Sequence, residues 1–303
     1  MFTEFKVDKD YNNSRLDKWF KKNVLDIPQS LIQKIIRKKK IKLNNKKLQS
    51  SDRVKTGDLI KVYDLQKLNI KKKVFKKNKY IPSLKEKKKY EKFVLEDNEN
   101  FIVLNKPAGI PVQGGTKSHK NIIDIIKNTN YFNNGKPFIV HRIDKETSGV
   151  LMVAKNREYA QLFTSLFRLR KVHKTYLSIV YGKVSKNLNI LKNNLITYEN
   201  NKKKIQNALT YIKVLKSNDL FSLVELKPIT GRKHQLRKQL TEIGHPIVGD
   251  KKYYINKNKF NKNSSLLLHA HKIKFMINDV KFNFEANYEK NLEKFIRENF
   301  KSF

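Results

Sequence analysis

The chain has 303 residues and a formal net charge of +40, with 67 Lys and Arg against 27 Asp and Glu. Its hydrophobic fraction of 39% includes 18 Phe and 13 Tyr, enough to fill one small and one larger core. No apolar run reaches the roughly eighteen residues of a membrane helix, and the lack of any cysteine excludes disulfides and thiolate zinc sites. Met1–Phe5 has neither a basic start nor an apolar stretch, and Glu4, Asp8 and Asp10 are unlike an organellar transit segment, so a cytoplasmic monomer is expected. The cation surplus is the footprint of a polyanion binder, nucleic acid above all. Part of the Lys excess, beside abundant Asn and Ile, reflects an AT-rich coding sequence.

Residues 14–63 read as a small α/β unit. Ser14 is placed to cap a helix carrying Leu16, Trp19 and Phe20, and a second helix begins near Pro28, with Leu31, Ile32, Ile35 and Ile36 at helical spacing. Ile41–Leu43, Asn44-Asn45 and Lys46–Leu48 predict a hairpin, and Leu59–Tyr63 a closing strand. Arg37, Lys38, Lys39 and Lys40 end the second helix, where cations suit the macrodipole and can meet phosphates, or form a merely solvated end. With its "RLDKWF" start, this arrangement resembles the S4-type RNA-binding domain, which implies an RNA-contacting edge made by the second helix and the hairpin. In that domain a Gly usually precedes the hairpin strand; here Lys39-Lys40 stands there.

Residues 64–91 are Lys-rich and aperiodic, and read as a basic linker. From residue 92 to 303 apolar strands alternate with helices. Strands are predicted at Phe101–Leu104, Gly149–Ala154, Tyr176–Tyr181, Phe221–Leu226 and Leu266–Phe275. Helices are predicted at His119–Lys127, Arg157–Phe167 and Arg232–Ile243, with a last one capped by Asn287. Hairpin-like joins outnumber βαβ units, so the fold class expected is α+β, a mixed, largely antiparallel sheet with packed helices.

The densest chemical signal is His141-Arg142-Ile143-Asp144-Lys145-Glu146-Thr147-Ser148-Gly149. Charges between two apolar strands are costly unless solvated or paired, so they mark a cleft, with Asp144 as nucleophile or base. The competing reading is a loop in which Asp144 and Thr147 make local turn bonds.

"HRIDKETSGVLMVAKN" resembles the signature of the RluA family of RNA pseudouridine synthases, and three further stretches agree in order: "VLEDNENFIVLNKPAGIPVQGG", "KTYLSIVYGKV" and "LKPITGRKHQLRKQLTEIGHPIVGDKKY". The Gln-Gly-Gly at 113–115 and the leading S4-type unit are similar to the RluC-like branch, in which His usually replaces Gln113. The resemblance implies the pseudouridine synthase fold and an isomerase needing no cofactor or metal. It also implies a structured RNA substrate, in particular 23S large-subunit ribosomal RNA. It places the catalytic aspartate at Asp144, the active-site tyrosine at Tyr176 and the basic partner at Arg237. A single carboxylate suits this reaction, since the detached uracil is kept and water excluded, whereas a glycoside hydrolase brackets the bond with two. The target uridine must be flipped out. Arg142 is then a candidate to enter the vacated stack or hold a flanking phosphate, or else to pair with a neighbouring acid.

Two other classes compete. A non-catalytic RNA-binding or ribosome-assembly factor on the same fold would be expected to have lost Asp144, Tyr176 or Arg237, and all three are present. A metal hydrolase using His269 and His271, with His245 and Asp250 upstream, lacks a third residue at ligand spacing.

Overall fold

In the computed structural model the described residues are 2–44, 46, 48–65, 80–114, 120–132, 135–199, 202–253 and 265–300. Asn45 and Lys47 of the expected hairpin, residues 66–79 of the basic stretch, and His119 at the expected helix start lie outside them. The chain divides into two compact units, Met1–Lys77 and Asn78–Phe303.

The first unit runs β1 (Phe2–Lys6), β2 (Ser14–Arg15), α1 (Leu16–Asn23), α2 (Gln29–Arg37), β3 (Ile41–Leu43), β4 (Arg53–Val54) and β5 (Leu59–Tyr63). β5 lies between β1 and β3, and β2 pairs with β4. Leu16, Trp19 and Phe20 of α1 and Ile32, Ile35 and Ile36 of α2 are buried together against Ile41, Ile60 and Val62. Each such side chain stabilises by roughly 1.5–3 kcal/mol. Ser14 is not the α1 cap: it pairs with Val54 in β2, and Arg15 occupies the cap position. Arg15 and Gln29 both hydrogen-bond the buried Asp17 carboxylate, tying the two helix starts together. Lys39 follows α2 with φ 57°, a left-handed backbone usually given to glycine. Arg37, Lys38 and Lys39 are exposed, and Lys40 pairs with Asp64 at 2.9 Å.

The second unit starts inside the stretch read as linker. Residues Leu84–Glu91 form α3, and Ser83 and Glu86 make a reciprocal capping box. Then follow β6 (Val94–Asp97), β7 (Phe101–Lys106), α4 (Ile122–Ile126), β8 (Phe138–Ile139), β9 (Ser148–Ala154), α5 (Arg157–Arg168) and β10 (His173–Tyr181). β11 (Ile190–Glu199) and β12 (Lys202–Ser217) form a long hairpin that the sequence reading did not anticipate. β13 (Phe221–Pro228), α6 (Gln235–Glu242), β14 (Leu268–Ile277), β15 (Val280–Glu285) and α7 (Lys290–Asn299) complete the chain. Three helices begin later than expected: α4 because Asn121 caps it, α6 because His234 is left-handed at φ 54°, and α7 because Glu289 caps it.

The sheet order is β11-β12-β13-β10-β14-β9-β7-β6, with β15 beside β14 and β8 beside β9. Among the described residues every pairing is antiparallel except that of β14 with β9. β14 therefore joins two half-sheets. Alternation assigns the faces. Leu151 and Val153 pack with α4, whereas Val150 and Met152 pack with Phe163 and Leu166 of α5. Val224 and Leu226 pack with Leu236 and Leu240 of α6, whereas Leu223 packs with Leu292 and Ile296 of α7. The large sheet thus carries α4 and α6 on one face and α5 and α7 on the other.

Candidate active site

The β14–β9 seam positions the 141–147 loop. At the seam Gly149 (φ 107°) lies so close to β14 that a Cβ there would sit 2.2 Å from the Ala270 carbonyl oxygen. Beside it the Ser148 Oγ and His269 Nδ1 are 2.9 Å apart in the interior. Lys106, fully buried at the end of β7, grips the loop from below. Its Nζ donates to the carbonyls of Pro107 (2.8 Å), Ile110 (2.9 Å) and Lys145 (3.2 Å). Burial pulls the Lys106 ammonium down to about 7, with the nearby Glu146 and Asp144 charges opposing that shift.

On this frame the Asp144 carboxylate meets two groups from the start of α6. Its Oδ2 is 3.7 Å from Arg237 Nη1 and its Oδ1 is 3.7 Å from His234 Nε2. Arg237, 7% exposed, is itself locked: Nε and Nη2 each donate at 2.7 Å to Asp250, which is 1% exposed. Asp250 also accepts from the backbone N–H groups of Lys252 and Tyr253. Burial works against the Arg237 charge, but the Asp250 bonds outweigh it and hold the guanidinium above its ordinary pKa. Burial likewise pushes Asp250 up, and the Arg237 bond pulls it down further. The guanidinium therefore spends one edge on Asp250 and turns the remaining nitrogen to Asp144.

His234 is held by its left-handed backbone and by a 2.7 Å hydrogen bond between Nδ1 and the Tyr253 hydroxyl. Burial lowers its pKa against the pull of Asp144, so the ring is neutral near pH 7. The Tyr253 ring also lies under the Arg237 guanidinium, 5.1 Å from centroid to Cζ. Tyr176, on β10 opposite Ala270 and Leu226, is partly buried on the α4 and α6 face. Burial, and secondarily the Asp144 charge, raise its hydroxyl pKa, so it stays protonated.

The structure thus brings together Asp144, Arg237 and Tyr176. Arg142 is exposed in the same loop, in no ion pair among the described residues. Arg37, Lys38, Lys39 and Lys40 belong to the first unit. Sequence reasoning gave no site role to Lys106, His234 or Tyr253, and besides the metal reading took Asp250 as a turn residue or as a support behind the reacting groups. The usable signals were the i, i+3 spacing of His234 and Arg237, which faces both to one side of a helix start, and an acid in a Gly-Asp turn. His271 pairs with Glu285 at 3.0 Å and His245 bonds the Tyr181 carbonyl. No group of three or more His, Asp or Glu able to hold a metal occurs among the described residues.

Residues 100–242 match the family model described as RNA pseudouridylate synthase, and residues 14–60 match the S4 domain. A ribosomal large subunit pseudouridine synthase C of Rickettsia felis is 37% identical over 303 residues, 95% of this chain and 96% of its own. The chain belongs to the RNA pseudouridylate synthase family. Proteins of the same description from Buchnera aphidicola subsp. Schizaphis graminum and Vibrio parahaemolyticus are 34% and 30% identical. They cover 89% and 95% of this chain and 88% and 93% of their own. Among solved structures, human RNA pseudouridylate synthase domain containing 4 has a TM-score of 0.60 at 26% identity, over 69% of this chain and 94% of its own. As a member of that family the chain is an RNA uridine-to-pseudouridine isomerase with an S4 domain before the catalytic fold. Asp144, Tyr176 and Arg237 all fall inside the matched segment, and Asp250 and Tyr253 lie beyond it.

Proposed function

We propose that this enzyme isomerises specific uridines of 23S large-subunit ribosomal RNA, with Asp144 acting on the ribose, Arg237 as its fixed counter-charge and Tyr176 against the uracil. The carrying observation is the Asp250–Arg237–Asp144 chain. A carboxylate in a pocket closed over a flipped nucleotide would lose its charge unless a permanent cation stood beside it, and Arg237 is held there before substrate arrives. In the reaction the N1–C1′ bond breaks and the uracil turns. The C5–C1′ bond then forms, C5 loses its proton and N1 gains one, so the balance needs no outside reagent. Asp144 must be ionised whether it attacks the ribose or acts on it as a base. Neutral His234 offers an Nε2–H to the other carboxylate oxygen, and the protonated Tyr176 offers a flat face to the base and a hydroxyl to the migrating proton. Arg142 stands in the vacated stack or on a flanking phosphate. The 23S assignment is supported by the name shared by the relatives above, which cover nearly all of this chain. The reading takes the enzyme as a cytoplasmic monomer using neither metal nor cofactor.

The test is Asp144→Asn with ribosomal RNA from a strain lacking this enzyme. We expect pseudouridine formation to fall by at least about a thousandfold, as for loss of a reacting group, while affinity for RNA stays within a few-fold because phosphate contacts carry it. Turnover near wild type would remove Asp144 from this role, and activity lost with EDTA and restored by zinc would return the metal reading.

A further inference from the structure

A second feature, a basic furrow, lies beyond the end of α5. Along β13, Glu225 and Lys227 alternate with Val224 and Leu226, so they point away from the α6 face. Tyr211 pairs directly with Lys227 and, 46% exposed, shares its side. A cleft of about 460 Å³ opens there, with Lys174, Lys227, Lys272 and Lys274 in its walls. Arg170, left-handed at φ 59° just after α5, borders both this cleft and an adjoining one of about 630 Å³ that also receives Lys192 and Arg232.

The cations are poorly matched by acids. Glu225 is the one carboxylate in either wall, and it is taken by Lys227 at 2.7 Å; Lys272 is paired with Glu285 from outside at 2.7 Å. Arg170, Lys174 and Lys192 pair with no carboxylate among the described residues. Lys174 is the telling member. It is half-buried, its charge is disfavoured by burial alone with no acid opposing that, and its charge in turn weighs on His141. A desolvated ammonium without an anion is costly, and an open cleft lets the anion come from outside. Spaced cations beside an exposed tyrosine ring are the elements of a strand-binding surface, in which phosphates meet the cations and a base stacks on the ring.

We infer that this furrow is a second RNA-binding site of the catalytic unit, taking a single-stranded stretch of the same RNA molecule that flanks the flipped uridine. The proposal rests on the RNA substrate proposed above. It adds that the enzyme holds RNA outside the Asp144 pocket as well, with the phosphates along Arg170, Lys174 and Lys192 and a base on Tyr211.

The test uses the full chain carrying Arg170→Gln, Lys192→Gln and Lys274→Gln, all at exposed positions, with a matched control, Lys85→Gln, Lys88→Gln and Lys89→Gln on α3. Affinity for a 23S transcript is measured across salt concentrations in an Asp144→Asn background, so that the outcome is independent of the catalytic assignment. The furrow variant should bind about tenfold more weakly, and its log–log salt slope should shrink by about 2, since single-strand contacts contribute about 0.7 each. The control should change affinity less than threefold. With Asp144 present, the single-turnover rate at saturating RNA should be that of wild type. Tyr211→Leu should weaken binding of a uridine-rich single strand about tenfold, as expected for one lost stack. Wild-type affinity in the furrow variant, an equal loss in the α3 control, or wild-type binding by Tyr211→Leu would each overturn the proposal.

Discussion

The charges around Asp144 and those at the end of α2 are the same kinds of group put to opposite uses. Arg237 is buried, hydrogen-bonded on one edge and aimed at Asp144 with the other. Arg37, Lys38 and Lys39 are solvated on a short helix end, and among the described residues their one side-chain bond is a long contact from Arg37 to a backbone carbonyl. The difference separates two demands on a charge. Stabilising a reacting carboxylate needs orientation fixed before the substrate binds, whereas holding phosphates tolerates mobility and mainly needs number. The two regions should therefore respond to substitution in different observables.

The largest effect should come from Arg237→Met, which we expect to cut single-turnover pseudouridine formation by about a thousandfold or more while RNA affinity changes only a few-fold. Arg237→Lys should retain more activity but remain well below wild type, since one ammonium cannot serve Asp250 with a fork and Asp144 as well. A single-turnover rate near wild type in Arg237→Met, beside a weaker affinity, would show that Arg237 serves RNA affinity alone.

Next comes neutralising the solvated group. Arg37→Gln, Lys38→Gln and Lys39→Gln together should weaken RNA binding about tenfold and lower the salt slope by roughly 2–3. The single-turnover rate at saturation should not move. A slower rate at saturation would mean that α2 helps to build the reacting site, and the contrast between the regions would fail.

Acid should also part the two units. All seven histidines lie after residue 118, and buried His269 is lowered to about 4, chiefly by burial. The unfolded chain takes up that proton near pH 6.5 and the folded chain only near 4. Its contribution is therefore complete above pH 6.5 and is lost as pH falls through that window, by about 2 kcal/mol at pH 5. Urea unfolding followed by circular dichroism at pH 7 and pH 5 should show at least this loss, since burial also lowers His141 to about 3, and His269→Gln should remove its own share of about 2 kcal/mol. The fluorescence of Trp19, the one tryptophan, reports the histidine-free unit and should shift less. The smallest effect is Lys39→Gly, expected to stabilise by about 0.5–1 kcal/mol by relieving the left-handed backbone.

What could be read ahead of the structure follows the range of the interactions involved. The paired helices of the first unit, the strands at 101–104 and 149–154, and the amphipathic α5 were visible because their apolar spacing records a local face. The β11–β12 hairpin was not, because Asn193, Asn194 and the lysines at 202–204 carry no alternation across its middle and the pairing comes from the neighbouring β13. Helix α3 carries a capping signature, Ser83-x-x-Glu86, but its run of lysines leaves no apolar period to mark it as a helix. Asp144, Tyr176 and Arg237 were reached through motifs resembling a known family. The partners that fix them were not, since Lys106 reads as a linker between strand and turn until its ammonium is seen under three carbonyls. His234 and Tyr253 find each other only through a fold-back of nineteen residues.

The place of β14 has a consequence for the order in which the enzyme comes into being. It is among the last strands synthesised, yet it lies in the middle of the sheet, between β10 and β9. Asp144 is attached to the half-sheet of β9, β7 and β6, and Tyr176 and α6 to the half that includes β10 and β13. Until residues 268–277 have left the ribosome these halves have no strand between them. Asp144 then has no reason to stand near Arg237, and contacts of such sequence separation form late. A nascent chain on the ribosome therefore carries its RNA-binding unit well before it carries an active site, and modification begins only when the catalytic sheet is closed by β14, its last strand but one.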